Sequence, residues 1–258
     1  MSTDTARLRA SVTGLLGWTA VEEELLLAGP ALAGRALAGL ALAGLAPAGD
    51  GPGSPDCWAA APLIAHNTEF KRQQVIRLTA IRQGETPPDF TEIDHRSAEV
   101  YLAYCEPDAG QVRRASREVT AALIDGLAGV GDDDLLDPSR HPWLRGRMLW
   151  LQLVVRGFWH PMGHIADYYI CHGQAVRAAQ VQAQAVAVAD YLGAPDPARG
   201  MAHYSLACAQ ARADQPDAAL AELATAVRLN ADLAAKLASE PDLDVLRASG
   251  RLDALAAS

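Results

Sequence analysis

Apolar residues recur at helical spacing along most of the chain. Leu8, Val12, Leu15, Leu16, Thr19 and Leu26 fall on one side of a helix over 6–28, because positions three or four apart return to the same face at about 3.6 residues per turn. Glu22, Glu23 and Glu24 are then expected to face solvent. A second helix is predicted from Asp56 to about Gln83, with Leu63, Phe70, Leu78 and Ile81 as its apolar stripe and Gly84 as its stop. His66, Gln73 and Arg77 lie together at the edge of that stripe, since spacings of seven and eleven return to nearly one angle. A short helix is predicted over 96–104. Asp108 can cap a third long helix over 109–127, which ends at Gly129 and Gly131, and 132–138 reads as a loop. Pro142 suits the first position of a fourth long helix, from Trp143 to about Cys171, with Gly173 as its stop.

Pro161 falls inside that fourth helix. It removes one backbone hydrogen bond and crowds the carbonyl four residues back, at Gly157, so a kink is predicted beside His160. After Gly173 the predicted elements shorten. Helices are expected over 174–191, 198–213 and 216–229, followed by two short ones across 231–257. The Ala-Leu-Ala-Gly-rich stretch 29–47 fits either a packed helix or a loop, and 49–55 is a breaker.

Alanine and leucine dominate, and aromatic residues make up 5% of the chain. That composition favours helices over strands and sets the expected class as all-α. The net charge is −9 and the arginines are scattered, so no basic face exists for nucleic acid. The most apolar run, 25–48, is broken by Pro30 and Arg35, which argues against a membrane span. The four cysteines are far apart and form no C-x-x-C pair. Reduced thiols in a cytoplasmic protein, with no signal peptide, are expected.

The candidate chemistry centres on His160 and His164. Four residues apart on a helix, they lie about 40° apart around its axis and can share a ligand. With Trp58-Ala-Ala-Ala-Pro-Leu-Ile-Ala-His66 on the second helix, His160-x-x-x-His164 on the fourth resembles the DinB/YfiT-like superfamily of antiparallel four-helix bundles. The resemblance covers 1–173 and implies one divalent metal on His66, His160 and His164. It also implies thiol-dependent transferases or isomerases, or bundles that protect a producer from its own reactive natural products. Pro161 and Gly163 depart from that pattern and leave the subgroup open.

Leu206-Ala207, Ala219, Leu223 and Ala226 resemble one tetratricopeptide repeat, so 174–258 is expected to be a repeat-like helical extension. One repeat cannot stand alone and must pack on the bundle or on a second copy, and a homodimer is expected.

Three imidazoles suit Zn²⁺, Fe²⁺ or Ni²⁺ with a position left open for water, a low-molecular-weight thiol or a small-molecule substrate. Asp167 projects near the His160–His164 direction and is a candidate to orient an imidazole; Arg77 is a candidate to bind a carboxylate of thiol or substrate. Glu69 reads as a solvated acid and Cys171 as a packing residue, while His95, His141, His172 and His203 lack partners for a site. The residues leave three functions open: thiol transfer or thiol-assisted isomerisation of a reactive electrophile, hydrolysis or self-resistance by a metal-bound hydroxide, and sequestration of a small molecule.

Overall fold

The computed structural model describes residues 3–28, 58–88, 90 and 108–252. Among them every regular element is helical, as the composition requires. The predicted short helix over 96–104 and the segment 29–53 lie outside the described residues. Two compact units emerge, Met1–His164 and Ile165–Ser258.

The first unit opens with α1 (Thr3–Ala28) and α2 (Ala60–Gln83). Gly84 ends α2 with φ 73°, a left-handed conformation that costs glycine little. In α3 (Ala109–Ala128), Asp108 accepts a hydrogen bond from Gly110 N–H at 2.8 Å, so the predicted cap is present. Helix α3 packs against both α1 and α2. Arg9 on α1 ties down its far end by donating to Leu127 O at 2.6 Å and Val130 O at 2.7 Å. Those donations satisfy carbonyls that a helix terminus leaves orphaned.

Two expectations fail in the next stretch. The segment expected as loop starts with a short helix, α4 (Asp132–Leu136), whose three aspartates occupy the first turn, where the helix dipole favours negative charge. The fourth helix does not start at Trp143. Pro142–Leu144 is a single 3₁₀ turn, and Arg145 and Gly146 follow with φ 52° and 80°. Right-handed helix cannot pass through two left-handed residues, so α5 begins only at Leu149 and runs to Val154.

A π-helical turn, Val155–Trp159, joins α5 to α6 (His160–Cys171). Where a kink is predicted beside His160, the structure has one wide turn that ends at Trp159. That turn packs against α1 and α2. A Cβ at Gly157 would collide with Leu16 Cδ2 and come within 3.3 Å of Leu123 Cδ2, so α1 and α3 approach this turn only because residue 157 is glycine.

Glu22 and Glu23 are 4% and 1% exposed, against the expectation that they face solvent. Their position extends the buried series Val12, Leu16 and Thr19 by a further turn. Glu24 alone of the three follows expectation, pairing with Arg113 at 2.9 Å and Arg117 at 2.6 Å near the surface.

The second unit contains α7 (Ala175–Tyr191), α8 (Asp196–Arg212) and α9 (Pro216–Leu229), then 3₁₀ turns Ala231–Lys236 and Pro241–Leu243 and α10 (Asp244–Ala248). Helix α8 packs on α7 and α9. Ala207, Ala219, Leu223 and Ala226 fill the α8–α9 core, with Leu233, Leu243 and Leu246 closing it from the tail. Gly200 lets the α9 end pass close, since an added Cβ would lie 3.0 Å from Ala226 O. Cys171 is disulfide-bonded, which corrects the expectation of reduced thiols at this position; Cys208 is free and buried. No helix among the described residues is long and apolar enough to cross a membrane.

Candidate metal centre

The sequence places His66 in the second turn of α2 and His160 and His164 one turn apart in α6. The fold brings all three together. Ring centroids lie 5.5 Å apart for His66–His160, 5.0 Å for His66–His164 and 4.5 Å for His160–His164. One ring nitrogen from each lies within 4.8 Å of the others. His66 is 4% exposed, and the Nε2 atoms of all three are sealed from solvent.

Two aromatic residues fix the orientation. Trp58 meets His66 edge-on at 5.8 Å, so the tryptophan eight residues upstream is part of the wall. Phe70, one turn after His66, touches both His66 at 4.8 Å and His160 at 4.1 Å. The Arg156 guanidinium lies over the Phe70 ring at 5.1 Å. Sequence reasoning missed Arg156, although it stands four residues before His160 on the same helix-to-be.

The other described histidines differ in kind. His141 Nε2 is 3.0 Å from Asp134 O, His172 Nδ1 is 2.8 Å from Tyr168 O, and His203 Nδ1 is 2.5 Å from Glu222 Oε2. Each has a neighbour on its own stretch of chain or hairpin that accounts for its place.

Arg77 is not gathered to the histidines. Eleven residues along a helix rise about 16 Å. Its guanidinium stacks at 4.5 Å over Trp143 and 5.1 Å over Phe90, and donates to Gln74 Oε1 and Pro88 O, each at 3.4 Å. Asp167 belongs to the second unit, where its charge helps raise the Cys208 thiol. Glu69 pairs with Arg72 at 2.6 Å toward the surface.

A second buried centre was not anticipated. Lys71 Nζ donates to Glu23 Oε2 at 2.7 Å and to Thr120 Oγ1 at 3.2 Å, and Ser116 Oγ donates to the same Glu23 oxygen at 2.5 Å. Lys71 and Glu23 side chains are 0% and 1% exposed. The signal was present in the stripe Val12–Leu16–Thr19–Glu23, whose spacing places the carboxylate inside.

Three imidazoles of one donor type, with buried Nε2 atoms and within ligand reach, fit a divalent cation. No family model, curated protein or solved structure matches this chain.

Proposed function

We propose that the chain is a metal-dependent enzyme that acts on a small reactive electrophile by thiol transfer or thiol-assisted isomerisation. In this reading the first unit is a four-helix bundle of the DinB/YfiT-like kind, the tail is tetratricopeptide-like, and the protein works as a homodimer. The observation that carries the proposal is the convergence of His66, His160 and His164, with a nitrogen of each within 4.8 Å of the others. The three imidazoles would hold Zn²⁺, Fe²⁺ or Ni²⁺. A cation so held supplies Lewis acidity and lowers the pKa of a thiol or water toward neutrality.

The chain's own residues do the rest. Trp58 and Phe70 exclude water from the imidazoles and fix their rings. Arg156, over Phe70, contributes a cation near the site that favours an anionic ligand. Burial of the donor atoms keeps competing solvent away.

Elemental analysis of untagged protein tests the metal. About one bound ion per chain is expected beyond any sulfur-ligated ion, absent in His164→Ala. Turnover of electrophile with and without a low-molecular-weight thiol then tests the reaction. Turnover that persists without thiol replaces the proposal with a hydrolase. Stoichiometric ligand binding without product, unchanged in His160→Ala, replaces it with a sequestering protein.

A further inference from the structure

We propose that the second unit carries a zinc-type metal site of its own, built from Cys208, Glu240 and Asp242. Ligand atoms of the three lie within 4.8 Å of one another. A tetrahedral ion with metal–sulfur and metal–oxygen bonds of about 2.1–2.3 Å needs its ligands about 3.5 Å apart. Closure therefore asks for side-chain movement of about 1 Å, well within rotamer adjustment.

Three successive turns of α8 face the segment around Pro241–Leu243. Tyr204, Cys208 and Arg212 are spaced by four and share one side of the helix. The outer two hold the carboxylates: Tyr204 O–H donates to Glu240 Oε2 at 3.2 Å, and Arg212 donates to Asp242 Oδ1 at 3.2 Å. The middle one presents a thiol. Cys208 is 8% exposed and sits in the apolar core of the unit. It is a buried sulfur within 4.8 Å of an oxygen of each carboxylate.

Arg212 pairs with Asp242 at 3.2 Å, and Arg247 donates to Glu240 O at 2.9 Å. Hydrogen bonds from outside to ligating carboxylates are the usual support of a metal site. A sulfur beside two carboxylates selects a borderline ion such as Zn²⁺ over Ca²⁺ or Mg²⁺. Binding forms one metal–sulfur and two metal–oxygen bonds, and the Cys208 proton leaves to solvent.

Co²⁺ titration of the chelator-stripped full-length protein tests the site, because thiolate-to-cobalt charge-transfer absorption reports sulfur ligation and is silent on imidazoles. The band should appear in the full chain, saturate at one sulfur-ligated ion per chain, and be displaced by Zn²⁺. It should vanish in Cys208→Ser, need about tenfold or more Co²⁺ in Glu240→Gln, and persist in His160→Ala. That persistence separates this site from the histidine centre, whose failure would leave the band intact. The proposal is overturned if excess Co²⁺ gives no thiolate band in the full chain, or if the band survives in Cys208→Ser.

Discussion

The first unit buries two polar centres, and they are built on opposite principles. At Lys71 and Glu23 a cation meets an anion at 2.7 Å, and Ser116 and Thr120 add further hydrogen bonds. The charges cancel locally at Glu23 Oε2, while Glu23 Oε1 is buried without a hydrogen bond. At His66, His160 and His164 three donors of the same kind converge, with ring centroids 4.5 to 5.5 Å apart. A closed pair of opposite charges is a device for holding helices α1, α2 and α3 in register. Convergent like donors are a device for holding something else. Both centres use α2, yet only five residues separate His66 from Lys71. Successive faces of one helix thus serve structure and chemistry.

The comparison breaks most visibly at Lys71. Lys71→Met keeps the stem volume but strands a carboxylate in the core. Removing one partner of a buried pair costs about 3–5 kcal/mol, because the remaining charge has lost its compensation. Urea unfolding should show that loss, and Glu23→Gln added to Lys71→Met should recover much of it. A single-variant cost below about 1 kcal/mol, the level of an exposed pair, would show that the centre is not closed. Metal content per folded chain should stay as in the wild type.

The wide turn that carries α5 into α6 offers a smaller test. Gly157→Ala drives a methyl against Leu16 and Leu123, both without exposure. Overpacking of this kind costs about 1–3 kcal/mol. Gly163→Ala is the control on the same segment, since nothing lies within 4 Å of its added Cβ. There the helix gains alanine's propensity, about 0.5–1 kcal/mol. Thermal midpoints should therefore move in opposite directions. A fall at both positions would mean that the stretch fails to tolerate side chains generally, rather than at the α1 contact.

Local signals carried far in this chain. Asp108 and Gly84 act over one or two turns and produced the predicted cap and stop, and a wide turn stands where Pro161 and Gly157 predict a kink. The pair His160 and His164 was legible from its helical spacing, and His66 from the resemblance that Trp58, eight residues before it, carries. What stayed hidden depends on partners distant in sequence. The stripe of α1 places Glu23 inside, but the Lys71 and Ser116 that compensate its charge stand 48 and 93 residues away. Arg77 sits on the same stripe as His66, yet its place is decided by Trp143 and Phe90. The false helical start at Trp143 had a local cause: Gly146 stood in plain view and was outweighed by Pro142.

The finest distinction between the two centres is energetic, and His164→Ala draws it. Without metal, losing the imidazole of His164 removes one partly buried side chain. The expected stability change is then within about 1 kcal/mol, in the range of an ordinary partly buried substitution. With free Zn²⁺ about one hundred times Kd, binding stabilises the wild type by about 2.7 kcal/mol, and the variant loses that increment. Zinc held at Cys208 contributes equally to both proteins and cancels in the difference. Unfolding of wild type and variant, each with chelator and with Zn²⁺, isolates the coupling. A gap that opens only with metal marks the histidines as ligands kept for what they bind. An equal gap in both conditions would place them with Lys71 and Glu23, as part of the architecture.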